Sequence, residues 1–586
     1  MKHNKTIFLV LAFVIALSLI GCGSKKEEPK VSKPAEVPST SVIKDYEKIA
    51  TVKAQFAKFA AVEIGYDSSK LTDNEKKALI LMVKAAKLMD NLFSKQVYDK
   101  NGAIRKELVA KRKENPDYLI LEKYFRVNFG PFDRLAADKP FINLSEEKPK
   151  GANFYPPDMT KEEFEAHIKA NPGDEEAFAS NFTIIQRKNG KLVAIPYSVA
   201  YKKTLAMAAK LLKEAANLID NPSLKKYLNS RADAFLSNNY FQSDMDWMDV
   251  KDHKIEIVIG PYEVYEDKLM GYKASFEAFI TLVDQEESAK WAKVAKLMND
   301  MEKNLPVEDK YKNFNRGSSS PTMITEEVFA AGDTKAGVQT TAFNLPNDEK
   351  VREVKGNKQV MLRNVAKAKF DKCWIPIVKV ALAEKDFPLI SFDAYFNHVM
   401  MHEYSHGLGP GTIEKGGKKT TVNKELKDHY PTLEEAKADV LGVWNCQYMI
   451  DRGVFPKGLE KNLYVTYLGG MFRSIRFGID QAHGGGNAIQ MNYMLEKGAF
   501  TYDKGTGRFG VTPDTAKIKA AIKQLAKELL EIQALGDYER GGQFIQKYRY
   551  ISPELQGTLD KLTNIPTDIR PVYIIEKEIK RAHNKK

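Results

Sequence analysis

Residues 392–407 read FDAYFNHVMMHEYSHG. At the centre, His402-Glu403-Tyr404-Ser405-His406 sets two imidazoles at i and i+4. On a helix these positions share one face, a turn apart. Two imidazoles so placed can reach one Zn²⁺. The Glu beside the first His can then take a proton from an attacking water. The flanks read as a helix: Phe392 to Phe396 lead in, and Gly407 supplies a stop. The chain has only 9 His, and the pattern is expected by chance roughly 0.01 times in such a composition. His398 stands one turn further back and is read as packing or hydrogen bonding, outside the metal set.

Two His do not complete a catalytic site, which usually has three protein ligands and one open position. The downstream candidates are Glu425, Asp428, His429, Glu434, Glu435 and Asp439. Spacing alone does not choose among them. Thr432-Leu433-Glu434-Glu435 also has the form of a capping box, which would make Glu435 a helix-start device.

Outward from this motif the chain is long, 586 residues, and needs more than one hydrophobic core. It is 43% hydrophobic and 28% charged, as a globular body is. The net charge of +13 is spread among acidic residues with no basic stripe, so no nucleic-acid partner is expected. Lys2 and Lys5 precede an apolar run over 7–20, then Leu19-Ile20-Gly21-Cys22. A positive start and a short apolar run are a secretory signal. A Cys after Leu-Ile-Gly resembles a bacterial lipoprotein box. That resemblance implies lipidation at Cys22 and, with Gly23-Ser24 following, an outer-membrane address. The Pro-, Ser- and Lys-rich stretch that follows reads as a flexible tether. Cys373 and Cys446 read as buried free thiols.

Leu79, Met82, Val83 and Ala86 recur at helical spacing. Residues 182–198 and 254–283 are β-rich, and 362–450 and 458–535 are mostly helical. The expected class is α+β with two lobes separated by a cleft. One is a mostly helical zinc-binding lobe, the other a mixed α/β lobe with a β core. Residues 1–21 are then the signal and 22–45 the tether. Residues 46–276 begin the mixed lobe, and 277–330 begin the helical lobe. Residues 331–373 add a β-core segment to the mixed lobe. The catalytic lobe is 374–540, and 541–586 return to the mixed lobe. Gly484-Gly485-Gly486-Asn487 lacks a P-loop ending and reads as a turn or helix junction; Lys504 to Gly507 reads as a hairpin turn.

Several stretches together resemble the dipeptidyl-peptidase III family. Glu434-Glu435-Ala436-Lys437-Ala438-Asp439 resembles its E-E-x-x-A-D/E motif. The segments Ile259 to Glu263, Tyr265 to Asp267, Gly271 to Lys273, Phe276 to Phe279, Phe343 to Asp348 and Gln481 to His483 resemble further blocks. The five-residue first motif, with Gly407 after the second His, is closest to the plant Nudix-fused and bacterial branch. The resemblance covers roughly residues 50 to 570. It implies one Zn²⁺ per chain on His402, His406 and Glu435, with Glu403 as general base and acid. Glu434 and Asp439 would hold the imidazoles, and His483 would stabilise the transition state. Glu256, Asn344 and Asn347 would hold the free amino terminus of a short peptide. The implied activity is release of dipeptides by attack of metal-activated water. Val258 stands where the family usually has Tyr, which removes a hydroxyl donor. A zinc peptidase of other specificity and a non-catalytic peptide-binding lipoprotein are the competing readings.

Overall fold

The structure is a computed structural model that describes residues 43, 45–143, 147–314 and 322–584. The signal and Cys22 lie outside the described residues. Near its start the mixed lobe has strand β1, Phe59–Ile64. Helix α1, Asp73–Val97, follows a full capping box between Thr72 and Glu75. It buries Leu79, Met82, Val83 and Ala86, the stripe expected from the periodicity. Helix α2 is Asp117–Asn128.

Five strands build the β core: β2 Ile255–Glu263, β3 Ser275–Val283, β4 Thr322–Gly332, β5 Ala342–Leu345 and β6 Lys358–Leu362. Their order is β5-β6-β4-β3-β2. The β4–β6 pair is parallel and the other pairs are antiparallel. Residues 255–262 and 275–282 are all buried. Both faces are therefore covered, as near-continuous apolar runs require. Helix α1 lies across β3 and β4.

The helical lobe has its own core, which includes Trp291, Trp374, Met400, Leu433, Met471 and Leu529. It is built from α3 Phe392–His406, α4 Tyr430–Asp451, α5 Leu459–Ile475, α6 Ala482–Glu496 and α7 Thr515–Leu535. The hairpin expected at Lys504–Gly507 joins Phe500–Asp503 to Arg508–Val511. Cys373 and Cys446 are buried and free. No helix among the described residues is long and apolar enough to cross a membrane.

The strands cut across two expected boundaries. Strand β3 spans the division at 276, and β4 spans the one at 330. Between them, residues such as Trp291, Met298 and Leu305 do pack in the helical core. The return to the mixed lobe also comes later than 541. Phe544, Tyr548, Leu555 and Leu562 still belong to the helical core. The return is made by β7, Asp568–Tyr573, which pairs in parallel with β1.

A buried ion pair fastens that return. Lys369 Nζ lies 3.1 Å from Asp568 Oδ2 and donates to the Gln339 carbonyl at 2.5 Å. The Gln339 amide donates to the same Asp568 oxygen at 2.7 Å. Burial lowers the Lys369 pKa, and Asp568 opposes the shift. Removing one partner strands the other charge. Asp568→Ala is expected to destabilise the protein by about 3–5 kcal/mol, read as a lower urea midpoint. Adding Lys369→Met should restore much of that loss; no restoration would mean the two charges are not coupled.

Candidate active site

Helix α3 starts at a Ser391 cap, whose hydroxyl accepts from the Ala394 amide at 3.3 Å. It packs against α4. The approach depends on Gly442: a Cβ there would meet the His402 amide nitrogen and the His398 ring at 3.1 Å. His398 accordingly has a structural contact, its Nε2 lying 3.0 Å from the Asp439 carbonyl.

With the helices this close, α4 side chains reach the two motif imidazoles. His402 Nδ1 is 2.7 Å from Asp439 Oδ1. His406 Nδ1 is 2.9 Å from Glu434 Oε1. A carboxylate only accepts, so each Nδ1 carries the hydrogen and each Nε2 faces the other side of its ring. The two Nε2 atoms are 3.2 Å apart. Glu435 Oε2 lies 3.5 Å from the first and 3.9 Å from the second. It is a buried oxygen whose near neighbours are imidazole nitrogens. Three electron-pair donors thus converge with edges close to those of a tetrahedron around one ion with ligands at about 2.0–2.2 Å. The donor set fits Zn²⁺.

His483 stands in the same group: its Nδ1 is 2.9 Å from Glu435 Oε2, and its ring centre is 6.0 Å from that of His402. By position alone His402, Glu435 and His483 could also hold an ion. His402 and His406 are favoured beside Glu435 because each has a carboxylate behind it. The His483 side chain is 63% exposed. The glycines before Asn487 form the first turn of α6 and fit it against α4. A Cβ on Gly486 would meet the Ala436 amide nitrogen at 2.9 Å.

The alternatives left open by spacing are occupied elsewhere. Glu425 accepts from Thr420 and pairs with Lys415. Asp428 accepts from the Tyr538 hydroxyl, and His429 stacks on that ring. The capping-box reading of Glu435 does not hold, because α4 begins at Tyr430 and Glu435 lies inside it.

Residues that no motif marked complete the support. Asn487 and Gln490 donate to Asp439 Oδ2 at 2.9 and 3.2 Å. Tyr467 donates to Gln490 at 2.6 Å. Gln533 and Lys437 donate to Glu434, each at 2.9 Å. The one signal available was the polar stripe His483, Asn487, Gln490 at helical spacing on an otherwise apolar helix.

These partners tune charge. Burial pushes the Glu434 carboxyl up, but Lys437 and the donors around it hold it down at about 2. Burial likewise disfavours the His402 imidazolium, but Asp439 outweighs it and raises the group to about 9. The hydrogen bond to Glu435 raises His483.

Glu403 is half-buried beside β6. Gln359 Nε2 on β6 lies 3.5 Å from its Oε2, and the Tyr404 hydroxyl donates to Thr322 on β4 at 3.1 Å. Asn344 pairs across the strands with Gln359 and is exposed. Asn347, also exposed, donates to the Tyr262 carbonyl at 3.1 Å and to Glu263 at 3.3 Å. Glu256 departs from expectation. It is 2% exposed, with Oε1 accepting from the Trp247 indole and Oε2 facing His253 Nε2, both at 2.5 Å. Its charge is spent inside the wall, where Lys358 and His253 hold its carboxyl below the usual range against burial. Val258, two residues on, is buried in the same core.

The profile of peptidase family M49 matches residues 155–440, a span that holds the β core and ends one residue after Asp439. The chain is 37% identical over 579 residues to Nudix hydrolase 3 of Arabidopsis thaliana, covering 89% of this chain and 74% of that protein. Among solved structures, that of DPP III from Caldithrix abyssi is 55% identical with a TM-score of 0.86, over 90% of this chain and all of that one. The dipeptidyl-peptidase III from Corallococcus sp. strain EGB is 42% identical with a TM-score of 0.73, over 92% of this chain.

Two outcomes test the site. Asp439→Ala should weaken zinc binding about 10–100-fold, measured by competition with a chromogenic chelator. Because His402 is raised to about 9 in the free protein, metal uptake must displace its proton. Apparent zinc affinity should therefore rise with pH up to about 9 and fall below it, with proton release visible in calorimetry in buffers of different ionisation heat. A pH-independent affinity would contradict the assignment of His402.

Proposed function

The chain belongs to peptidase family M49 and is a metallopeptidase that removes dipeptides from the amino ends of peptides, and we propose the following division of labour among its residues. His402, His406 and Glu435 hold one Zn²⁺. When bound, the ion polarises the scissile carbonyl and acidifies the attacking water. Glu403 accepts the proton from that water and delivers it to the leaving amine. Gln359, on β6, limits where the Glu403 carboxylate can swing. Asp439 and Glu434 keep the imidazoles turned with Nε2 inward. His483 offers an N–H to the carbonyl oxygen as it gains charge.

Asn344 and Asn347 receive the free ammonium of the substrate, with Glu263, the hydrogen-bond partner of Asn347, as the nearby anion. Glu256 shapes the wall behind them. A clamp at this place counts two residues to the scissile bond. The observation that carries the reading is the convergence of His402 Nε2, His406 Nε2 and the buried Glu435 Oε2, with Glu403 next to the first imidazole in the chain.

We also propose that the protein is a lipoprotein of the bacterial cell envelope, anchored in the outer membrane through Cys22. The support is the Lys-rich start, the short apolar run and the Leu-Ile-Gly-Cys sequence. The five-residue motif supports placing the chain on the plant-like and bacterial branch of its family.

Mass spectrometry of products from unblocked tetra- to octapeptides tests the reaction. Zinc-loaded protein should release dipeptides stepwise from the amino end and leave amino-acetylated peptides intact. Glu403→Ala should lower the rate by about 10²–10⁴-fold. Single residues or internal cuts would discard the clamp, and cleavage at the full rate by Glu403→Ala would overturn the role of that residue.

A further inference from the structure

A cavity of about 270 Å³ opens in the mixed lobe, where α1 and α2 come close to the returning strand β7. Its walls come from α1, from Arg105, from α2, from residues 335–339 and from β7. None of the residues assigned to peptide hydrolysis lines it. Five cations line it: Arg105, Lys123, Arg126, Lys335 and Arg570. Only two carboxylates do, Asp90 and Glu576, and both are already paired, Asp90 with Lys335 at 3.2 Å and Glu576 with Lys87 at 2.8 Å. Arg126 pairs with Glu122. Arg105, Lys123 and Arg570 have no ion-pair partner among the described residues.

Arg570 is the most telling of the three. Its Nε is buried and has no hydrogen-bond partner. Burial lowers its pKa, and no carboxylate compensates. Its guanidinium rests over the Phe56 ring, 5.0 Å from the centroid. A buried, unsatisfied guanidinium donor costs stability unless something accepts from it. Three unpaired cations also exceed what one carboxylate would neutralise, whereas a phosphate monoester carries about −1.5 to −2 charges and several acceptor oxygens. The planar fork of Arg matches phosphate oxygens. The rest of the wall mixes apolar side chains, among them Phe129 and Pro571, with Asn91, Ser94 and Gln339.

We propose that this cavity is a second binding site, for a small organic phosphate whose phosphate group meets Arg105, Lys123 and Arg570 and whose apolar body lies on Phe129 and Pro571. Such a ligand touches the helix Asn101–Lys111, which carries Arg105, together with α2 and the returning strand β7. Its binding joins the first and last parts of the lobe and stabilises the folded chain by mass action.

Phenyl phosphate is the probe, titrated calorimetrically into the full zinc-loaded protein at fixed ionic strength in a phosphate-free buffer. One molecule per chain should bind, and saturating probe should raise the melting temperature. Lys123→Ala and Arg105→Ala alter exposed side chains, so both variants should fold; each should weaken binding at least tenfold and leave peptide cleavage unchanged. Benzoate should bind at least tenfold more weakly. Binding should persist in His402→Ala protein stripped of metal. Equal binding by the Lys123 and Arg105 variants, equal binding of benzoate, or loss of binding with the metal site would each overturn the proposal.

Discussion

Two carboxylates on one helix hold two imidazoles on another, and the chemistry of the molecule depends on that arrangement. Asp439 and Glu434 each take an Nδ1 hydrogen, which leaves both Nε2 lone pairs pointing at one place. Without them the i, i+4 spacing would put two rings on one face but would not orient them. Strong donors in turn fix the carboxylates: Asn487 and Gln490 on α6, Lys437 on α4 and Gln533 on α7. Four helices therefore contribute to the position of two nitrogen atoms. This is a large part of the helical core, and it explains why polar side chains such as Gln490 and Lys437 lie inside it without being left unpaired.

The proposed general base is held differently. Glu403 belongs to the same helix as the imidazoles, yet its neighbour in space is Gln359 on the β core. The proposed metal ligands thus sit in the helical lobe, while the surroundings of Glu403 are shared with the mixed lobe. Asn344 lies across the strands from Gln359. The residues proposed to recognise the substrate and to move its protons are therefore referenced to the paired strands β5 and β6. A small shift of those strands against α3 would alter both together.

The parts of this arrangement that were legible in the sequence are the local ones. His402, Glu403 and His406 share one helical turn, so their geometry follows from helix periodicity alone. The choice of Glu435 over Glu425 or Asp428 depends on how α3 and α4 cross, which spacing does not encode; a family resemblance made that choice. Glu256 shows the limit of resemblance. Its neighbours Ile255, Ile257 and Ile259 mark a strand, but whether its other face meets solvent or a second core depends on what packs there. Trp247, His253 and Lys358 pack there, and they come from outside the strand. The division at 276 failed for a similar reason. Strand β3 begins in one expected lobe and ends in the other, because strand partners are chosen by the sheet and not by proximity along the chain.

The pairing of β7 with β1 joins residues about as far apart in sequence as the fold allows. During synthesis β1 emerges long before β7. A chain that stops before Asp568 holds α3 to α7 but leaves β1 without this partner, and an open strand edge invites pairing with other chains. The seam of the mixed lobe is therefore among the last contacts that growth of the chain permits.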